Sequence, residues 1–124
     1  MSSNPVVHWE MAARNVQKQQ AFYAQLFGWA FDTSASTPAN CYYSAVTTGG
    51  LDGAIYQSNQ RTAWSGVYLT VEVPDVQAHL NKAVRLGAAI AVPVNTGPGG
   101  WCTAVIRDPE GNHIMLWKRP ANPQ

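Results

Sequence analysis

VHWEMAARNVQKQQAFYAQLFG (Val7 to Gly28) and VYLTVEVPDVQAHLNKAVRLG (Val67 to Gly87) are one pattern written twice. Val16-Gln17 follows Asn15 and Val76-Gln77 follows Asp75, a displacement of 75 − 15 = 60 residues. Each copy opens as an alternating strand, meets a residue suited to capping a helix, and runs with helical spacing to a glycine. Asn and Asp serve as caps because their side-chain oxygen accepts a bond from an otherwise unpaired first-turn amide. A closing glycine supplies the left-handed backbone that a helix end commonly needs.

Working outward, Trp29 to Phe31 reads as a strand and residues 32–40, rich in Ser, Thr and Pro, as a loop. Cys41 to Val46 and Leu51 to Tyr56 then form a strand pair. The second copy continues alike, with a strand over Ala88 to Val92 and a glycine-rich loop over Asn95 to Gly100. Trp101 to Ile106 and His113 to Trp117 close it around the tight turn Asp108-Pro109-Glu110-Gly111. GGLDGAIY (Gly49 to Tyr56) lies over EGNHIMLW (Glu110 to Trp117) at an offset of 61. Each half is therefore β-α-β-β-β, one module over about residues 5–57 and the other over about 66–118, within a single domain of residues 1–124. Two copies of one supersecondary unit imply a pseudo-twofold arrangement. The polar stretch Gln57 to Ser65 links them, and both ends of the chain, including everything after Lys118, are expected to fray.

Composition excludes some functions. The chain has 124 residues, enough to bury a core as one domain, and is 46% hydrophobic but only 12% charged, about half the ~25% of an average domain. A net charge of +1 with no basic cluster argues against nucleic-acid binding. The sparse charge is compatible with a homodimer that buries surface. No apolar run approaches ~18 residues, so no membrane partner is expected, and a cytoplasmic location is the default. Cys41 and Cys102 are isolated, each in a strand-like run, and read as free thiols.

The doubled β-α-β-β-β order, the FYAQLFGW ending of the first helix (Phe22 to Trp29) and the DPEGNHIMLW closing hairpin (Asp108 to Trp117) resemble the vicinal oxygen chelate superfamily. That group includes glyoxalase I, extradiol dioxygenases and bleomycin resistance proteins. The likeness covers about residues 5–118 and is strongest to its small lactoylglutathione lyase-related members. It implies an α+β fold in which the two modules build a curved, cup-like mixed sheet, with helices on the outer face and the ligand site on the concave one.

Alternation along strands sorts the side chains by face. Val7, Trp9 and Met11 should pack under the first helix, leaving Val6, His8 and Glu10 toward the cup. In the repeat, Val67, Leu69, Val71 and Val73 pack, while Tyr68, Thr70 and Glu72 face the cup. Asp52, Ala54 and Tyr56, and likewise His113, Met115 and Trp117, take the cup side of the closing strands.

The resemblance also implies a metal site built from a His or Gln on each first strand and a carboxylate on each closing strand. Carried over position by position, these fall on His8, Tyr68 (8 + 60 = 68), Ala54 and Met115, so one ligand in four survives. The expectation is accordingly no metal and no cofactor, with a shifted His8–Glu10–Asp52 site as the metal-bearing alternative. Glu10 and Glu72 would be costly to bury without partners, and Arg61 and Arg107 are available to them. Tyr56, Tyr68 and Trp117, with Trp101 or Tyr43 and with Met115 beside them, could line an aromatic pocket. The expected ligand contacts are thus His8, Glu10, Asp52, Tyr56, Tyr68, Thr70, Glu72, Trp101, Met115 and Trp117. The leading expectation is a small-molecule-binding protein with a degenerate metal site that captures an apolar or aromatic ligand. The alternative is a lyase, isomerase or dioxygenase-like enzyme using a non-standard metal site, or acid–base chemistry by Glu10 with His8.

Overall fold

The computed structural model describes residues 4–34, 36, 42–47, 49–58 and 66–120. Cys41, Arg61 and most of the linker therefore lie outside the described residues, as do residues 1–3, 37–40 and 121–124. The fold is α+β, with two βαβββ modules in tandem. The elements are β1 (Val6–Ala13), α1 (Val16–Phe27), β2 (Ala30–Asp32), β3 (Tyr42–Val46) and β4 (Gly53–Gln57), followed by β5 (Gly66–Glu72), α2 (Val76–Arg85), β6 (Ala89–Thr96), β7 (Cys102–Arg107) and β8 (His113–Lys118). No helix among the described residues is long and apolar enough to cross a membrane.

The chain divides into two compact units, one of residues 8–67 and one of residues 68–124 joined by residues 1–7. Strands in the first half run in the order β2-β3-β4-β1, and in the second β6-β7-β8-β5, the same order in each copy. In each, the first strand pairs in parallel with the last, β1 with β4 and β5 with β8. The other described pairs are antiparallel.

Both helices start as the sequence predicts. The Asn15 side chain accepts the Lys18 amide at 3.0 Å, and that of Asp75 accepts the Ala78 amide at 3.0 Å. Gly28 ends α1 at φ 72°, a left-handed value open to glycine, and its amide donates to the Ala24 carbonyl at 2.9 Å. In the first half Met11, Ala13, Val16 and Ile55 form the buried cluster between sheet and helix, backed by Trp9, Tyr23, Phe31 and Tyr43. In the second, Val73, Val76, Leu80, Ala104 and Leu116 do so, with Cys102 as a half-buried thiol beside them. Each helix thus covers one sheet face, and His8 and Glu10, or Tyr68 and Thr70, take the other by alternation.

Besides shifts of one or two residues at other strand ends, the chain departs from the sequence reading in three places. β1 continues past Met11 to Ala13, because the parallel ladder extends through Met11–Ile55, Ala12–Tyr56 and Ala13–Gln57. β6 continues to Thr96 where a loop was expected, and only Pro98–Gly100 forms a short 3-10 turn. Pro93 is tolerated because β6 is an end strand whose register against β7 shifts on both sides of Val92. Arg119, expected in a frayed tail, is instead held by Glu72.

Candidate functional site

The ladders fix which cup-facing positions are equivalent. Glu10 pairs with Ala54 in the first half and Thr70 with Met115 in the second. Since 10 + 60 = 70, Ala54 corresponds to Met115, which confirms the offset of 61 for the closing strands.

The helix-free face of the first half gathers three polar side chains around one oxygen. The Oε2 of Glu10 lies 3.6 Å from His8 Nε2 and 3.4 Å from the Tyr42 hydroxyl, which donates to it. The side chains of His8 and Glu10 are 30% and 13% exposed. At 3.6 Å the His8–Glu10 approach is too long for a hydrogen bond, and His8 Nε2 is buried without a hydrogen-bond partner. Burial holds the His8 imidazole below its usual value of 6.5, against the opposing field of Asp52. Burial, reinforced by the Glu10 charge and hydrogen bond, pushes the Tyr42 hydroxyl well above the ordinary phenol range, so it stays a donor.

Tyr42 was missed by sequence reasoning, which offered Tyr43 for this face. The two are adjacent, so only the pairing of β3 on β4 decides between them. Tyr42 pairs with Tyr56, and Tyr43 with Ile55 on the helix side. Ala54, fully buried, pairs with both Glu10 and Ser44. These small side chains leave room for Tyr42 to reach diagonally to Glu10. Asp52 is drawn partly away, since its Oδ1 accepts the Thr47 amide at 2.9 Å and the Thr47 hydroxyl at 3.3 Å. Tyr56 is buried on this face.

In the second half Tyr68 and Thr70 are 4% and 3% exposed. The Thr70 hydroxyl is a second buried polar atom without a hydrogen-bond partner. Glu72, paired across the ladder with Trp117, binds Arg119 through both carboxylate oxygens, at 3.0 Å from Nε and 3.1 Å from a terminal nitrogen. That bond is the main cause holding the Glu72 carboxyl below its usual range. The Arg119 guanidinium also stands 5.3 Å from the centre of the Trp117 ring, in cation–π range. Of the two arginines expected as partners, Arg107 is exposed at the end of β7 and Arg61 lies outside the described residues. Trp101 is half-buried, with its indole over Gly97, where a Cβ would come within 1.9 Å of the ring. Met115 is half-buried between Thr70 and Val105 in the ladder.

At the positions to which the resemblance carried metal ligands, Ala54 offers no donor, Tyr68 a phenol and Met115 a thioether. Among the described residues no three His, Cys, Asp or Glu side chains gather as a metal-binding group.

No curated protein matches the sequence. Among solved structures, the chain is similar to a glyoxalase/bleomycin resistance protein/dioxygenase superfamily member from Vibrio splendidus 12B01 (TM-score 0.66, 17% identity, covering 94% of this chain and 100% of that one). It is also similar to a hypothetical protein from Bacillus halodurans C-125 (TM-score 0.70, 12% identity, 99% of each chain). A third is methylmalonyl-CoA epimerase from Mycobacterium tuberculosis (TM-score 0.67, 14% identity, 94% of this chain and 88% of that one). At such identities the likeness is one of fold alone. The model of the Glyoxalase-like domain matches residues 8–117, from His8 on β1 to Trp117 on β8. With most of its length matched and its strand order repeated in both modules, the chain belongs to the Glyoxalase-like domain family.

Proposed function

We propose that this protein binds a small apolar or aromatic molecule on the helix-free face of its sheet, through His8, Glu10 and Tyr42, without a resident metal ion. One observation carries the reading: His8 Nε2 is buried with no hydrogen-bond partner beside a carboxylate that Tyr42 already holds. Leaving such an atom unpaired costs about 1–3 kcal/mol, and a ligand that supplies its partner recovers part of that. Tyr56 in the same half gives this contact an aromatic neighbour. The donor set at the four metal positions suits a divalent ion poorly, since an alanine methyl cannot ligate and a thioether is a soft donor.

A second reading rests on the same cluster. A neutral imidazole and a protonated phenol beside one carboxylate form an arrangement able to move a proton, with Glu10 as base and His8 as its partner. Glu10→Gln keeps the shape and removes the charge. With a ligand found by thermal-shift screening, it should weaken binding by no more than about tenfold if the protein only binds. A compound that wild type converts and Glu10→Gln does not would move the assignment to the second reading. Elemental analysis after dialysis against Zn, Ni, Mn and Fe tests the metal-free part. Close to one equivalent retained by wild type and lost in His8→Ala would overturn it.

A further inference from the structure

The two helices are seated differently within their own halves. α2 buries Val76 and Leu80, whereas α1 buries only Val16 and leaves Phe22 55% exposed. Beside the first turns of α1, within the His8–Val67 half, lies a cavity of about 520 Å³. Its walls include Met11, Ala13, Phe22, Tyr23 and Val67, and it lies on the helix side of β1, opposite His8 and Glu10. Its size is within the range of small-molecule sites.

The polar groups in this lining are unevenly free. The Asn15 carboxamide oxygen is taken by the Lys18 amide, and the Gln19 amide donates to the Met11 sulfur at 3.2 Å. Arg14 and Lys18 supply the charge, and no carboxylate is among the described residues that line the cavity. Val67, 59% exposed, and Phe22 offer apolar surface that water currently covers.

We propose that this cavity is a second binding site, for an amphipathic monoanion: a carboxylate or sulfonate head beside Arg14 and Lys18, and an apolar body against Phe22, Tyr23 and Val67. Covering the apolar walls drives binding. The two cations sit near solvent, where ion pairs add little affinity but select the sign of the charge. The site is independent of the one proposed above, and each can fail without the other.

Decanoate below its micelle concentration is the probe, with decanol and decyltrimethylammonium as neutral and cationic counterparts, followed by calorimetry on the full chain. Decanoate should saturate at one per chain and bind roughly five- to thirtyfold more tightly than decanol, as two exposed ion pairs allow. Arg14→Glu with Lys18→Glu should abolish that preference and favour the cation. Val67→Trp, built from an exposed position, should obstruct the cavity and weaken all three probes, and it decides the matter if the charge-reversed protein does not fold. His8→Ala and Glu10→Gln should leave decanoate binding unchanged. Decanol binding as well as decanoate, no saturation, or indifference to Val67→Trp would each overturn the proposal.

Discussion

Trp9 beside Gly53 in the first half holds the place that Leu69 beside Ile114 holds in the second. The Trp9 indole lies so close over Gly53 that a Cβ there would meet the ring at 2.1 Å, and its Nε1 donates to the Leu51 carbonyl at 2.8 Å. The second half divides the space between two aliphatic side chains. Compared residue by residue, both positions look unrelated. As pairs they differ in closure as well as in size, since Leu69 is 40% exposed whereas the indole lies over a buried Gly53. The helix-free faces diverge further. His8, Glu10 and Tyr42 in the first half correspond to Tyr68, Thr70 and Thr103 in the second, so the carboxylate cluster has no counterpart at the equivalent positions among the described residues. The repeat carries the backbone ladder, and the His8–Glu10–Tyr42 contacts belong to one copy.

The sharpest break between the halves should come at the helices. Leu80 is 3% exposed in the α2 core, and Leu80→Ala should destabilise the protein by about 2–5 kcal/mol. Phe22→Ala on α1 should change stability by only about 0.5 kcal/mol, since that ring is more than half exposed. Denaturant unfolding of the two variants reads the difference directly. Equal losses would mean that α1 is anchored as deeply as α2.

Next in size is the exchange of packing solutions. Gly53→Ile alone should cost about 1–3 kcal/mol or more by overpacking against Trp9, and Trp9→Leu alone should leave a void. The double variant, which copies the second half into the first, should recover part of the sum, a coupling measurable by a double-mutant cycle. Strict additivity would show that the two pairs are not equivalent.

The smallest effect concerns pH. His8 is held below its usual value of 6.5, so between the lowered value and 6.5 the unfolded chain binds more protons than the folded one. Stability from this group is therefore complete above about pH 6.5 and declines as pH falls through the folded value. Melting temperatures measured from about pH 7.5 to 5 should fall less in His8→Asn than in wild type. Parallel curves would remove His8 from the account. Tyr68, at the equivalent position, should give no such dependence on substitution.

What the sequence determined by itself was whatever depends on neighbours a few residues apart. Asn15 and Asp75 announce the two helix starts because a cap acts over three residues, and alternation assigned His8, Glu10, Tyr68 and Thr70 to one face because strand geometry is local. The 60-residue repeat then gave the βαβββ connectivity and the family resemblance. Tertiary structure decided what depends on pairing between distant strands. It chose Tyr42 over Tyr43, since one step of register on β4 reverses every side chain. Arg119 became the partner of Glu72 because β8 runs parallel beside β5 and carries the chain on to that carboxylate. The length of β6 depended on an end strand that could absorb Pro93 through shifts in register. The unpartnered His8 Nε2 and the cavity beside α1 are properties of how side chains fill space, and periodicity carries no record of what space is left over.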